Sequence, residues 1–426
     1  MTVPASPRPA FASDAALRRG LVLLTLVNLL NYLDRFVVSA LVESLKRSAL
    51  ALTDAELGSL MTGFVVVYTL ASPIFGTLGD RARRPRLVAL GVAFWSAATA
   101  LSALARSFHG LFVARAAVGV GEAAYGTIAP SLLADYFPRA QRGRAFAVFF
   151  AAIPVGSALG YVVGGLVDRA FGWNAAFLVA GLPGLLLAGL ILRLPDPPRG
   201  ASDAAGTEVP VRPASRAVFA SVRDGLGAYP GLLRNRPYRL TVLGYAAYTF
   251  ALGGMAFWMP AFLERVRGVP RAEATVVFGA IVVATGFVGT FAGGWIGDRL
   301  LRRTDQAYLW VSGVATLLAV PCAIVVFASA SRSVYVPALV AAQLLLFAST
   351  GPVNSAIVNV VAPTERATAV ALSILAIHLL GDVPSPVLIG LLSDAASLGR
   401  AVLIVPVAVF LSGAIWTYAA WRGERS

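Results

Sequence analysis

Cysteine is nearly missing from this 426-residue chain, which has Cys322 alone, and its only histidines are His109 and His378. A single thiol cannot close an intrachain disulfide, and thiol metal clusters are excluded with it. Two histidines so far apart, with no Cys or carboxylate cluster at ligand spacing, leave no metal site. Charge is scarce too: 13% of residues are charged against 58% hydrophobic, and the mean hydropathy is +0.77. That is far more apolar surface than a soluble core of this length buries, so lipid must be the solvent for most of the chain. Neither HExxH nor GxSxG occurs and no serine has an associated histidine, which argues against a membrane-embedded hydrolase or transferase.

What the chain does have is recurrent apolar stretches of roughly 20 residues, each enough to cross a ~30 Å hydrocarbon layer as a helix. Twelve can be counted, at about 20–42, 57–78, 87–106, 109–133, 144–167, 173–194, 238–262, 273–296, 307–329, 333–358, 367–392 and 401–420. They are too long and too continuously apolar for barrel strands, so the fold class is an all-α membrane protein of twelve transmembrane helices. A formal charge of +14 and a pI near 10.6 raise the question of nucleic acid. The basic residues, however, are scattered between the spans. With a cytoplasmic N-terminus, the even-numbered connections and both tails hold 24 of the 35 Lys and Arg. That is the positive-inside pattern, and it predicts a multi-pass inner-membrane protein with both termini cytoplasmic and no nucleic-acid partner. The polar first 19 residues carry Arg8, Arg18 and Arg19, but the span that follows is too long for a signal h-region and has no cleavage-type ending. It reads as an anchor.

Composition changes abruptly at "LPDPPRGASDAAGTEVPVRPASR", which neither spans a membrane nor builds a core. The chain therefore divides into a six-helix bundle at 1–194, a cytoplasmic linker at 195–236 and a second bundle at 237–426. Within the linker Val218, Phe219, Val222 and Leu226 fall near helical spacing, predicting a short amphipathic surface helix. The two halves echo one another. "GTLGDRARR" from Gly76 is matched by "GWIGDRLLRR" from Gly294, and "RGRAFAV...GGLVD" ending at Asp168 by "RATAVAL...IGLLSD" ending at Asp394. Duplicated six-helix bundles predict a secondary transporter with its site near the midplane between the repeats.

Further motifs carry a resemblance: "NYLDR" at 31–35, "RAAVGVGEAAYGTIAP" at 115–130, "AIPVGSALGY" at 152–161, "GPVNSAIV" at 351–358 and "IHLLGDVPSP" at 377–386. With the GxLGDR loops, they make the chain resemble the major facilitator superfamily and, within it, the spinster-like transporters of lysophospholipids and sphingolipids. The resemblance covers nearly the whole chain. It implies a monomer of two pseudo-symmetric six-helix bundles, alternating access, an amphiphilic lipid substrate, protons as the coupling ion and no cofactor. It also implies that the Asp of NYxDR and the Glu of GVGEA take part in proton coupling, with nearby arginines balancing them.

The residues agree with that implication. Asp34 lies roughly 12 Å inside the hydrocarbon by helix rise, where an unpaired central charge costs ~2.5–3.5 kcal/mol on the lenient scale. Arg115 and Glu122, seven residues apart, share one face of span four and are the natural partners. Arginine will not deprotonate, so a proton must ride on Asp34 or Glu122. The bland alternative is a static salt-bridge network that only fixes helix packing. Adjacent residues diverge by about 100° on a helix, so Asp34 and Arg35 should each look to a different neighbour, with Asp34 meeting Arg115. Arg35 and Arg115 can receive an anionic head group, and Tyr68, Tyr125, Phe250 and Trp258 can hold an acyl chain. Asn354, His378 and Asp382 complete the expected substrate-binding set. The last two share a helix face, where Asp382 can raise the His378 pKa; equally, His378 can bond a backbone carbonyl while Asp382 caps a break before Pro384. Asp80 and Arg81, with Asp298 and Arg299 in the second half, are expected to gate: a carboxylate there can latch onto a basic residue or a facing helix N-terminus. Tyr161 stands where the antiporter-type motif of the superfamily has proline, so span five gives no antiport signal. Competing functions are an exporter of lipophilic drugs, a transporter of small organic anions, and a receptor or scaffold without transport.

Overall fold

The computed structural model describes residues 13–137, 139–198, 229–361 and 366–424. The amphipathic stretch predicted at 218–226 lies outside them. Described residues form helices and no strands. In the first half these are α1 (Asp14–Arg47), α2 (Asp54–Arg81), α3 (Arg84–Ser102), α4 (Phe108–Tyr136), α5 (Arg139–Phe171) and α6 (Trp173–Ile191). In the second they are α7 (Arg236–Arg265), α8 (Arg271–Leu300), α9 (Ala307–Ala328), α10 (Arg332–Phe347), α11 (Thr350–Asn359), α12 (Arg366–Ile377), α13 (Pro384–Ala395), α14 (Leu398–Ala401) and α15 (Ile404–Gly423). The last six make three spans: α10 runs into α11, α12 into α13, and α14 into α15.

Among the described residues, eleven helices are long and apolar enough to cross a membrane. The remaining span is α4, which at 29 residues is long enough but has Arg115 and Glu122 inside it. The helices outrun the predicted apolar stretches because polar caps extend them beyond the hydrocarbon. Thr53 and Glu56 form a reciprocal capping box on α2, and Ser13, Ser107 and Asn235 accept the first free N–H groups of α1, α4 and α7. Internal prolines such as Pro73, Pro130, Pro154 and Pro260 remove single ladder bonds where neighbouring helices can support the bend.

Helices α1 and α5 lie together, as do α2 with α4 and α3 with both α4 and α6; α7, α9 and α15 group likewise in the second half. Where backbones approach closely, glycine is obligatory: a Cβ on Gly121 of α4 would lie 2.4 Å from the Gly91 carbonyl oxygen of α3. The apolar cores show how the halves meet. One cluster joins them toward the face opposite the chain termini, uniting Leu41 and Tyr161 with Phe257, Trp258 and Phe278, and continues through the second half to Leu309 and Ala420. At the face bearing the termini each half has its own core, around Leu24 and Phe64 in the first and around Tyr238 and Ile357 in the second. The far face is therefore closed between the halves.

Candidate functional site

The opening charges of "NYLDR" do diverge. Asp34 is 1% exposed and accepts Nη1–H of Arg115 at 2.9 Å and the Thr99 hydroxyl at 2.5 Å. Arg115, 2% exposed, also reaches the Asp34 carbonyl oxygen and lies 5.7 Å from the Phe177 ring centroid. Both carboxylate oxygens are matched, so this pair ties α1, α3 and α4 together.

Arg35, one residue on, turns to Glu122 and donates from Nη2 to Oε2 at 2.7 Å. This second pair is built differently. Glu122 is fully buried while the Arg35 side chain remains 20% exposed. Three rings surround the guanidinium, with centroids at 5.0 Å for Tyr32, 4.9 Å for Phe64 and 5.4 Å for Tyr68. Glu122 Oε1, Arg35 Nε and Asn31 Nδ2 are buried with no hydrogen-bond partner among the described residues. Asn31 stands one helical turn from Arg35 on the same face of α1. The site thus offers unmatched donors beside a cation with partial access, and an unmatched acceptor on the buried carboxylate behind it. Unmatched polar groups are costly in a dry interior and mark where a ligand or a proton has most to gain.

The second half supplies a separate polar cluster. His378 and Asp382 bond at 2.9 Å across a single π-helical turn, His378–Asp382, in which the Val383 N–H reaches back to the His378 carbonyl. A wider turn of this kind, just before Pro384, often sits at a functional site. Asn354, exposed, donates to the Tyr245 hydroxyl and the Thr350 carbonyl, and Phe250 is half-buried with its carbonyl accepting the Ser385 hydroxyl. No contact joins this cluster to Arg35 or Glu122 among the described residues.

Three expected substrate contacts are placed elsewhere. Tyr125 is core: its hydroxyl donates to the Leu24 carbonyl at 2.6 Å and its ring packs edge-on against Trp95. Trp258 is 1% exposed and donates to the Pro386 carbonyl. Arg115 is consumed by Asp34 and lacks the access an anionic head group needs. In each case burial decides, and an apolar aromatic within a span is more often packing than lining. Of the gating residues, the side chains of Asp80 and Arg81 lie outside the described residues. Asp298 is exposed and accepts the Tyr308 hydroxyl of its own half at 2.9 Å, while Arg299 lies over Trp295.

Sequence reasoning missed Thr99, Asn31, Tyr32 and Phe64. Asn31 and Tyr32 were legible, since both belong to the NYLDR segment and Asn31 is spaced i, i+4 from Arg35. Thr99 gives no signal beyond a lone hydroxyl in an apolar span.

Comparison with known proteins agrees with this fold. The family model described as Major Facilitator Superfamily matches residues 24–386, which with the fold defines a membrane transporter of that type. Protein spinster homolog 3 of Danio rerio is 35% identical over 92% of this chain and 80% of its own length. The sphingosine-1-phosphate transporter SPNS2 of Mus musculus is 35% identical over 92% and 75%. A solved bacterial homologue of the human lysosomal transporter Spinster, inward-facing and unoccupied, superposes with a TM-score of 0.83 at 25% identity, covering 96% of this chain and 98% of that one. The chain belongs to the spinster family of major facilitator transporters.

The two ion pairs predict different costs of neutralising their acids. Asp34→Asn strands a guanidinium that has no access to water, a loss on the order of 3–5 kcal/mol. Glu122→Gln leaves Arg35 on its three rings with partial access and should cost less than half of that. Thermal melting of the purified protein should therefore rank Asp34→Asn well below Glu122→Gln; equal midpoints would contradict the distinction.

Proposed function

We propose that this transporter moves a phosphate-bearing, single-chain amphiphile together with a proton by alternating access. Glu122 carries the proton and Arg35 receives the phosphate, while Asp34 and Arg115 hold the helices in register. The observation that carries the reading is the Arg35–Glu122 pair, in which a partly accessible cation is held by a fully buried acid with one orphaned oxygen. When an anion takes the guanidinium, Glu122 loses its one hydrogen-bond partner among the described residues and is driven to protonate, because an unpaired carboxylate in a low-dielectric site is the least favourable state. Protonating Glu122 first releases Arg35 for the anion. Each event favours the other, so affinity for the anion rises as pH falls.

The amphiphile follows from the surroundings and from one relative. A phosphate head fits a guanidinium beside the free Asn31 amide, and the Tyr32, Phe64 and Tyr68 rings give an apolar wall at its side. The related Mus musculus protein is named as a sphingosine-1-phosphate transporter. His378, Asp382 and Asn354 supply polar groups from the second half. The basic residues concentrate toward the face of the termini, which supports a plasma-membrane protein with both termini cytoplasmic and the closed far face outside. In that orientation the described state is inward-facing.

In proteoliposomes, a lysophospholipid or sphingosine-phosphate probe should accumulate under a pH gradient in the parent. Glu122→Gln should abolish that accumulation yet still bind the probe. Arg35→Gln should weaken binding itself by roughly 10- to 100-fold, the worth of a charge-assisted contact of about 1.5–3 kcal/mol. Glu122→Gln accumulating the probe as well as the parent would sink the coupling. Transport of lipophilic dyes or small carboxylates in place of lipid would favour the drug-exporter or organic-anion reading instead. Reporter fusions at residue 205 and at residue 426 should both mark the cytoplasmic side; a periplasmic signal at either overturns the orientation.

A further inference from the structure

The face of α1 that carries Arg35 holds one more polar group, which the coupling site does not use. Asn31, Arg35 and Ser39 stand four residues apart, so they line up along one side of the helix at about 6 Å per step. Each ends in a buried polar atom with no hydrogen-bond partner among the described residues: Asn31 Nδ2, Arg35 Nε and Ser39 Oγ. Ser39 is 1% exposed, and Val38, Leu41 and Val42 beside it on α1 belong to the apolar cluster that joins the two halves. A hydroxyl inside a helix has a ready acceptor in the carbonyl one turn back. Ser102, Ser157 and Thr285 use it, donating to the Ala98, Ile153 and Ile281 carbonyls. Ser39 makes no such bond.

Its place on α1 sets Ser39 apart from the other unmatched hydroxyls. Ser96, for example, meets α6 within the first half, where a Cβ on Gly184 would lie 2.0 Å from its oxygen. Ser39 instead lies one turn from Arg35 on the side of the termini and one turn from Glu43 on the side of the far face. Glu43 accepts Arg265 of the second half at 2.5 Å. This side of α1 is therefore turned toward the second half, and parting the halves at the far face uncovers Ser39 on the way to Arg35. A buried donor without a partner carries a cost in the closed state that an alanine would not. An anion arriving from the far side supplies the missing acceptor.

We propose that Ser39 is the outward-facing part of the phosphate site. With the far face open, its hydroxyl and the Arg35 guanidinium hold the phosphate together; with that face closed, the Asn31 amide takes the place of Ser39. Arg35 is common to both arrangements, so the head group shifts along α1 from one side of the guanidinium to the other as the transporter changes state. A phosphate has oxygens enough to accept a guanidinium and a hydroxyl at once. The inference rests on the reading of Arg35 as the phosphate-binding residue and extends it to the state that faces outward.

Two variants provide that state. A Cβ on Gly58 of α2 would lie 2.3 Å from the Pro386 carbonyl oxygen of α13, and a Cβ on Gly390 of α13 would lie 2.3 Å from the Asp54 carbonyl oxygen, so Gly58→Leu and Gly390→Leu each wedge the far face open. Spin labels on His109→Cys and Ser333→Cys, at the starts of α4 and α10 and in a Cys322→Ser background, measure that opening. Affinity of the purified protein for a phosphate-bearing lysolipid should fall roughly tenfold on Ser39→Ala in either wedged background, the worth of one hydrogen bond to a charged group. In the parent background Ser39→Ala should leave the affinity unchanged, and Ser39→Thr, which keeps the hydroxyl, should stay near the serine protein throughout. Asn31→Leu should show the opposite pattern, weakening binding in the parent and not in the wedged variants. Equal weakening by Ser39→Ala in open and closed backgrounds, or none in a background that the labels show to be open, would refute the outer contact. Arg35→Gln separates the two levels. If it weakens binding in every background while Ser39→Ala weakens it in none, the outer contact alone fails; if it weakens binding in none, the phosphate reading fails and Ser39 with it.

Discussion

Everything in this molecule is constrained by the cost of holding charge where there is no water. A carboxylate or guanidinium among apolar helices must be matched, and the quality of the match decides whether it is scaffold or machinery. Two adjacent residues of α1 show both outcomes. Asp34 has both carboxylate oxygens matched, by Arg115 and Thr99. Arg35 and Glu122 share a single contact, with a donor and an acceptor left over. The incompletely matched pair is the one that can exchange partners, because its ionised state already pays for what a ligand and a proton can supply.

The same rule operates at the two faces. On the far side the helix ends emerge from hydrocarbon with their N–H groups and charged caps, and the halves satisfy one another there through Asp54, Asp168 and Asp394. A large shared apolar core lies beneath. Toward the termini the first half keeps a core around Leu24 and Phe64 and the second a core around Tyr238 and Ile357.

Much of this was legible in the residues. Hydropathy gave the number of spans, the repeated GxLGDR loops gave the duplication, and a helical turn of about 100° per residue required Asp34 and Arg35 to part company. The Asp34–Arg115 pair was expected, whereas the Arg35–Glu122 pair was not named. Burial was not legible. Tyr125 and Trp258 look like lining in a one-dimensional pattern and prove to be packing, since periodicity shows a face without showing what it meets. The far-face ion pairs were overlooked because their members lie at the span ends, where charges read as topology signals. A carboxylate latched on a facing helix N-terminus was expected at Asp80, whose side chain lies outside the described residues; a contact of that kind is made at the far face by Asp394 on α2. The repeat had already paired Asp394 with Asp168, and that was the available clue.

The central claim is that an anion on Arg35 obliges Glu122 to take up a proton. Calorimetry of a phosphate-bearing lysolipid binding to the purified protein, in buffers of different ionisation enthalpy at one pH, counts the protons that accompany binding. The account predicts net proton uptake on binding for the parent and none for Glu122→Gln. Binding without proton uptake in the parent, or equal uptake in Glu122→Gln, would contradict it.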